Sequence, residues 1–207
     1  APVLLTDEHK AAMREHDVPE WYINSCLKIK YMFPKAHAAA YMISALRLGW
    51  YKVHRPVEYY AAYFSVRGED FDGAVVMKGR DAVKRKMSEI AMKGKGASKK
   101  EEDAYTTFQI VNEMLARGIQ ILPVDIYKSH AKKYLVENGK IRLPFMSLSG
   151  VGEAAANSLY EAKFAGPYIS VDDLQGRSKV SKSVIETLDA AGSLKDLPTT
   201  SQMTLFG

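Results

Sequence analysis

The chain has 207 residues, which is long enough to bury a hydrophobic core and suits one sizeable domain or two small ones. Hydrophobic residues make up 47% and charged residues 26% of it, a balance that excludes a wholly disordered protein, and its net charge is +5. No apolar run reaches the roughly 20 residues of a membrane-spanning helix. No secretory signal opens the chain, and the single cysteine, Cys26, cannot form an internal disulfide. We therefore expect a cytoplasmic protein without membrane contact.

Helical periodicity extends over most of the sequence and starts close to the first residue, which is not Met, so we expect a piece cut from a larger protein. The patterns predict helices over residues 7–16, 36–52, 57–66, 73–92, 105–115, 153–163 and 181–191. Asn138-Gly139 separates two extended runs, 131–136 and 140–145, and this dipeptide predicts a β-hairpin. The Gly- and Lys-rich segment 93–103 is predicted to be a mobile linker. The expected fold is mainly α-helical with a small β-hairpin, in two lobes joined through residues 122–145.

Positive charge is concentrated between residues 78 and 100, where the only acids among the predicted helix residues are Asp81 and Glu89. The basic residues there are Lys78, Arg80, Lys84, Arg85, Lys86, Lys93, Lys95, Lys99 and Lys100. A polyanion such as nucleic acid would explain this segment. A solvated helix face followed by a flexible loop explains it equally well, so charge alone leaves both interpretations open.

The most informative motif is Leu148-x-Gly150-Val151-Gly152-x-x-x-Ala156-x-x-Leu159. Its two glycines permit a tight turn, and the free amides at the start of the next helix can hold a phosphate oxygen. The pattern resembles the helix-hairpin-helix motif, which binds the sugar-phosphate backbone of duplex DNA without reading its sequence. The alternatives are a plain packing contact between helices and a dinucleotide-binding loop, although the latter requires a preceding strand and a third glycine. The candidate DNA contacts are Ser149, Gly150, Val151, Gly152, Glu153 and Ala154.

A second, degenerate copy of this motif follows in residues 176–182. Lys and Ser stand there in place of a second glycine pair, and Ser181 is a candidate N-cap. Because positive side chains around a helix start can hold phosphates, we expect Arg177, Lys179 and Lys182 to contact DNA as well.

A lysine-rich segment, residues 28–41, is a candidate nucleotide site. Lys35 and His37 stand at the start of a predicted helix, whose dipole favours an anion. Lysines can meet a triphosphate and an aromatic ring can stack on a base, but spacing alone is explained as well by a structural His and core aromatics. The candidate nucleotide contacts are Lys28, Lys30, Phe33, Lys35, His37 and Tyr41.

Residues 30–41, Lys-Tyr-Met-Phe-Pro-Lys-Ala-His-Ala-Ala-Ala-Tyr, resemble the fingers signature of the C-family bacterial replicative DNA polymerases. Residues 19–26, 50–56 and 174–182 are similar to the Gram-positive PolC type of DNA polymerase III. The resemblance covers nearly the whole chain and implies a C-terminal fragment of such a polymerase. Its implied parts are fingers (1–121), a connecting β-hairpin (122–145), a helix-hairpin-helix duplex-binding region (146–197) and an extended tail (198–207).

The tail carries a third motif. Gln202, Leu205 and Phe206 resemble the bacterial sliding-clamp-binding peptide, which has a Gln, two variable positions and then Leu-Phe. Leu205 and Phe206 would anchor in an apolar pocket, and Gln202 would supply an orienting hydrogen bond. Met203 departs from the more usual Leu, and the alternative is a terminus that folds back onto the core.

The resemblance implies a DNA-directed DNA polymerase, a nucleotidyltransferase, with primer-template DNA, a deoxynucleoside triphosphate, the sliding clamp and the remaining polymerase domains as partners. Polymerase chemistry needs paired carboxylates that hold two Mg²⁺ ions. Asp70 and Asp72 precede a predicted helix as caps, and the adjacent Asp172 and Asp173 would diverge from each other. In the family the catalytic aspartates and Mg²⁺ belong to the palm, so we expect no catalytic residue, metal or cofactor here and no activity from this chain alone.

Two alternatives remain open at this stage. An independent helix-hairpin-helix DNA-binding or repair module explains the glycine motif and the basic charge, but not the segment around Lys35 or the tail. A protein-interaction adaptor that uses only the tail predicts no DNA affinity.

Overall fold

Helices account for most of residues 5–28, 34–68 and 70–200, which are the residues that the computed structural model describes. The helices are α1 (Asp7–Glu15), α2 (Glu20–Lys28), α3 (Lys35–His54), α4 (Pro56–Arg67), α5 (Gly73–Val76), α6 (Arg80–Lys93), α7 (Lys99–Ala116), α8 (Glu153–Ala162), α9 (Val171–Ser178) and α10 (Lys182–Ala190). Short 3-10 turns cover Gly94–Gly96, Phe145–Ser147 and Lys163–Ala165, and the strands are β1 (Ile121–Leu122), β2 (Leu135–Glu137) and β3 (Lys140–Arg142). The predicted mainly α-helical class is confirmed. None of the described helices combines the length and hydropathy that a bilayer crossing requires.

The chain divides into two compact units, residues 1–50 and 51–207. In the first unit, the guanidinium of Arg14 donates two hydrogen bonds to the carboxylate of Glu20 and so ties the end of α1 to the start of α2. None of the 20 residues of α3 is buried.

One continuous hydrophobic core holds the second unit together, with members from α4, α6 and α7, from the sheet, and from α8, α9 and α10. Its largest fully buried side chains include Tyr60, Phe64, Phe108 and Phe145. Because the helices before the sheet share this core with the helices after it, the compact units do not follow the two lobes expected on either side of residues 122–145. The functional parts assigned to 1–121, 122–145, 146–197 and 198–207 stay predictions.

The sheet contains the predicted hairpin and one strand more. Asn138 and Gly139 both have positive φ, 51° and 74°, as the type I′ turn between β2 and β3 requires. The paired strands are shorter than the predicted runs, and β1 joins β3 in parallel. Buried Arg142 donates two hydrogen bonds to Glu137 and one to the carbonyl of Pro123, all of 2.8 Å, so it ties the hairpin to the end of β1. These hydrogen bonds lower the pKa of the Glu137 carboxyl.

The predicted helix over residues 73–92 is wrong in its continuity. Gly79 has a φ of 88°, which is outside the helical region, and it separates α5 from α6. Asp72 accepts a hydrogen bond from the N–H of Val75 and thereby caps α5, as expected of an acid that precedes a helix.

The segment 93–103 is not a linker throughout, because its second half is the first turn of α7. Ser98 and Glu101 form a capping box, in which each side chain accepts a hydrogen bond from the backbone N–H of the other. Hydrogen bonds from Lys93 and Ser98 lower the pKa of Glu101 to about 2. The capping box outweighs the glycine and lysine content on which the linker prediction rested.

Candidate nucleic-acid interface

The first hairpin joins the 3-10 turn Phe145–Ser147 to α8. Gly150 turns the chain with a φ of 89°, and buried Val151 donates its N–H to the carbonyl of Leu148. Gly152 is the N-cap residue of α8 and provides no side-chain cap, so the first-turn amides of the helix have no capping partner. The predicted turn is confirmed, although a 3-10 turn replaces a full helix before it.

The second hairpin joins α9 to α10 and repeats this backbone geometry. Lys179 adopts a φ of 53° at the position that corresponds to Gly150. Val180 is buried as Val151 is. Ser181 is an extended N-cap whose side chain accepts no hydrogen bond from a backbone N–H of the helix, although its hydroxyl pairs with that of Ser183 at 2.8 Å. The degenerate copy predicted from the sequence is therefore a second hairpin in the structure, with a lysine in the left-handed conformation that glycine usually adopts.

The folded chain itself does not require a glycine at position 152. Its φ and ψ of −75° and 168° are open to any residue, and a Cβ added there would meet no atom within 4 Å. A missing side chain at this exposed N-cap leaves the amides open to an external group.

The side chains of two sequence-based DNA contacts are engaged within the folded chain. Val151 is 5% exposed, so its side chain packs inward and its role is to shape the turn. The guanidinium of Arg177 donates to the carbonyls of Ala162 (2.7 Å), Gly166 (2.9 Å) and Pro167 (3.1 Å). Asp173 also accepts from it, and Tyr168 stacks on it at 4.3 Å. These partners tie α9 to the end of α8 and to the loop after it, and they engage N–H donors of Arg177 that a phosphate would otherwise accept from. The DNA contact assigned to Arg177 stays a prediction.

The remaining candidates of the two hairpins are exposed: Ser149, Gly150, Gly152, Glu153, Ala154, Lys179 and Lys182. Lys182 stands in the first turn of α10, with Glu186 at 4.0 Å. The hairpins thus offer uncapped amides together with two exposed ammonium groups, which is the donor set that a phosphate accepts.

A groove of about 750 Å³ lies beside the hairpins. Ser149 of the first hairpin and Ser183 in the first turn of α10 both line it, and the Cβ position of Gly150 is 4.0 Å from the hydroxyl of Thr187. The sequence analysis did not predict this groove, because its lining residues are far apart in the chain. Lys78, for example, precedes Ser149 by more than 70 residues.

An aromatic and basic cluster lies at the other end of α8. Lys163 stands over the ring of Tyr160 at 4.3 Å and donates to the carbonyl of Ser129, and burial lowers its pKa. The ring of His130 lies 4.4 Å from that of Tyr160, and burial lowers the pKa of the imidazole as well. Because Nδ1 of His130 accepts two backbone N–H bonds, the ring is fixed in one orientation.

The candidate nucleotide segment is described in part. Lys28 ends α2 and Lys35 begins α3, and both are exposed. The rings of His37 and Tyr41 lie 4.5 Å apart on successive turns of α3. Lys30 and Phe33 lie outside the described residues, as do Gln202, Leu205 and Phe206 of the tail.

Two of the acidic residues that could be mistaken for Mg²⁺ ligands are engaged in hydrogen bonds within the fold. Asp72 caps α5, and Asp173 accepts hydrogen bonds from Arg177 and from the N–H of Ile169. In the part of the chain that the structure describes, no group of three His, Cys, Asp or Glu side chains is arranged to hold a metal ion.

Comparison with known proteins gives two findings. The family model described as a helix-hairpin-helix motif matches residues 118–203, which include both hairpins. The chain is 49% identical over 203 residues to a protein named DNA polymerase III PolC-type from Clostridium perfringens, and 47% identical over 203 residues to one of the same name from Thermotoga petrophila. Each match covers 98% of this chain but only 14% and 15% of the relative's length. A protein of the same name from Halalkalibacterium halodurans is 49% identical over 194 residues.

These matches extend through both compact units and are not confined to the hairpins. The chain spans about one seventh of the length of the curated relatives that it matches. It therefore belongs to the PolC-type DNA polymerase III family, of whose members it represents a segment.

Proposed function

We propose that this chain is the part of a replicative DNA-directed DNA polymerase that holds duplex DNA. The observation that carries the proposal is the pair of hairpins with matching backbone geometry, each of which ends at an uncapped helix start. Two such sites can hold the backbone of a duplex at two places, which fixes its orientation without reading its sequence. A replicative enzyme needs a grip of this kind because it must bind every sequence that it copies.

The chemistry of the grip is electrostatic and depends on the backbone. Amides at the start of α8 and α10 point toward an approaching phosphate, and the helix dipoles add partial positive charge there. Lys179 and Lys182 supply full charges beside the second hairpin. Binding by such contacts releases counterions from DNA, so affinity falls steeply as salt increases.

The proposal extends to the remaining parts of the chain as the family resemblance implies. The segment with Lys35 and His37 contributes contacts to the incoming nucleotide, and exposure of Lys35 at the start of α3 supports this role. The tail residues Gln202, Leu205 and Phe206 attach the polymerase to its sliding clamp in the cytoplasm. Mg²⁺ and the catalytic aspartates belong to the palm, elsewhere in the whole protein, so this chain alone incorporates no nucleotide.

An independent DNA-binding or repair module with the same hairpins is the second candidate. It accounts for residues 118–203 but leaves the similarity of the first 50 residues to polymerases without an explanation. An adaptor that works only through its tail accounts for neither hairpin.

The proposal is tested by fluorescence anisotropy with duplex DNA across a salt series. Gly152→Val places a side chain in front of the α8 amides without an internal clash, and we expect affinity to fall at least about tenfold. Lys179→Gly removes one charge and relieves a left-handed backbone, so we expect the salt slope to fall by roughly 0.9 while the protein becomes no less stable. Gly49→Val on α3, where a Cβ also meets open space, is the matched control and leaves binding unchanged.

If neither Gly152→Val nor Lys179→Gly changes the affinity for duplex DNA, the hairpins are not the site that binds the phosphates. Wild-type protein that binds no duplex at all would overturn the proposed function as a whole.

A further inference from the structure

We infer that the DNA interface continues from the hairpins across the adjoining groove to Lys78, on the segment between α5 and α6. The inference rests on the proposed function and adds a third contact to the same DNA strand, from another residue that lines the groove. Neither the hairpin motif nor the match to the helix-hairpin-helix model, which begins at residue 118, includes this lysine.

The geometry brings three chain segments to one groove. Lys78 lines it from the α5–α6 junction, Ser149 from the first hairpin, and Ser183 from the first turn of α10. All three residues are exposed. A strand whose phosphates sit at the hairpins therefore passes within the space that Lys78 borders.

The lining matches a sugar-phosphate chain in its distribution of polarity. Apolar residues, Ala74, Leu143, Leu148 and Ala190 among them, line the groove together with the ammonium of Lys78 and the hydroxyls of Ser149, Ser183 and Thr187. Deoxyribose presents an apolar face to such apolar residues, while the phosphates on either side of the sugar accept hydrogen bonds from the ammonium and the hydroxyls.

The charged side chains around the groove determine which substitutions should weaken DNA binding and which should strengthen it. Lys78 makes no ion pair with any carboxylate of the described residues, so its ammonium is available to a phosphate. Glu186 borders the same groove from α10, and Lys182 at 4.0 Å offsets its charge in part. A phosphate in the groove is therefore attracted by Lys78 and repelled by Glu186.

Two single substitutions test this with opposite expected signs, in duplex-DNA anisotropy on the 207-residue chain. Lys78→Gln is expected to weaken binding about three- to eightfold near 0.1 M salt and to lower the salt slope by roughly 0.9, the loss of one phosphate contact. Glu186→Gln is expected to strengthen binding. Lys10→Gln removes one surface charge from α1, in the first unit, and serves as the matched control without effect.

The outcomes separate the inference from the function beneath it. If wild-type protein binds duplex and Gly152→Val weakens it while Lys78→Gln and Glu186→Gln change nothing, the hairpins hold DNA and the inference is wrong. If wild-type protein fails to bind, the proposed function falls first. Binding that weakens equally in Lys78→Gln and Lys10→Gln reflects net charge alone and also overturns the inference. Unchanged thermal unfolding of each variant establishes that folding is not the cause.

Discussion

Replacing Arg177 distinguishes its two possible roles. If Arg177 binds phosphate, the substitution weakens DNA binding, whereas if it joins α8 to α9, the substitution lowers the stability of the fold. Its guanidinium joins the last residue of α8, Ala162, to the following loop at Gly166 and Pro167. Charge-assisted hydrogen bonds contribute about 1.5–3 kcal/mol each, and a cation–π contact about 1 kcal/mol. The side chain is 23% exposed, so solvent competes for part of this. We expect Arg177→Ala to lower the free energy of unfolding by about 3 kcal/mol.

The assay is thermal unfolding by circular dichroism, together with the salt dependence of duplex binding. A loss of about 3 kcal/mol corresponds to a fall in Tm of roughly 6–12 °C for a chain of this size. Arg177→Lys keeps the charge but cannot reach three carbonyls with one ammonium, so it should recover only part of the stability. The salt slope of binding, measured well below Tm, should stay unchanged in both variants. A Tm shift under about 2 °C combined with a slope lowered by roughly 0.9 would show that Arg177 binds phosphate after all.

Three further predictions concern other parts of the chain. Lys93 and the α7 N-cap lower the pKa of Glu101 to about 2, below its value of about 4.3 in the unfolded chain. The Glu101 carboxylate therefore stabilises the fold above about pH 4.3, and this stabilisation is lost as the pH falls from about 5 toward 2. We expect the stability of Glu101→Gln, measured by acid unfolding, to lack this loss between about pH 5 and pH 2. Lys35→Ala should weaken deoxynucleoside triphosphate binding, measured by calorimetry, without changing duplex affinity, and equal loss of both would contradict a nucleotide-specific role. Replacing Leu205 and Phe206 by Ala should abolish binding to the sliding clamp in surface plasmon resonance while duplex binding persists; retained clamp binding would remove the tail from the proposal.

Local signals allowed several elements to be predicted correctly. α8 and α10 follow their apolar spacing, and the turn at Asn138-Gly139 follows from two residues that accept positive φ. The α9 helix was not predicted, because its eight residues carry only two large apolar side chains, too few to show a period. The strand β1 has only two residues, too few to show the alternation of polar and apolar side chains that predicts a strand. It is recognised as a strand only from its pairing with β3.

The site divides in the same way. The glycine motif predicted the first hairpin, because the positive φ of Gly150 is a conformation that glycine adopts readily and most other residues do not. The left-handed conformation of Lys179 could not be predicted from the residue type, because a lysine rarely adopts it. In the structure it accompanies the burial of Val180 and the start of α10 after Ser181. Arg177 has the charge of a phosphate ligand in the sequence, and only the folded chain shows the carbonyls that occupy it.

The sequence by itself determined the helical class and the hairpin motif, because both depend on residue types at short, fixed spacings. Its similarity to PolC-type polymerases, which extends over 203 residues, shows the family. The tertiary structure decided which of the candidate cations face solvent and which are taken up internally. It also decided that Lys78 shares a groove with Ser149, since a groove is bordered by segments far apart in the chain whose proximity arises only when the common core forms.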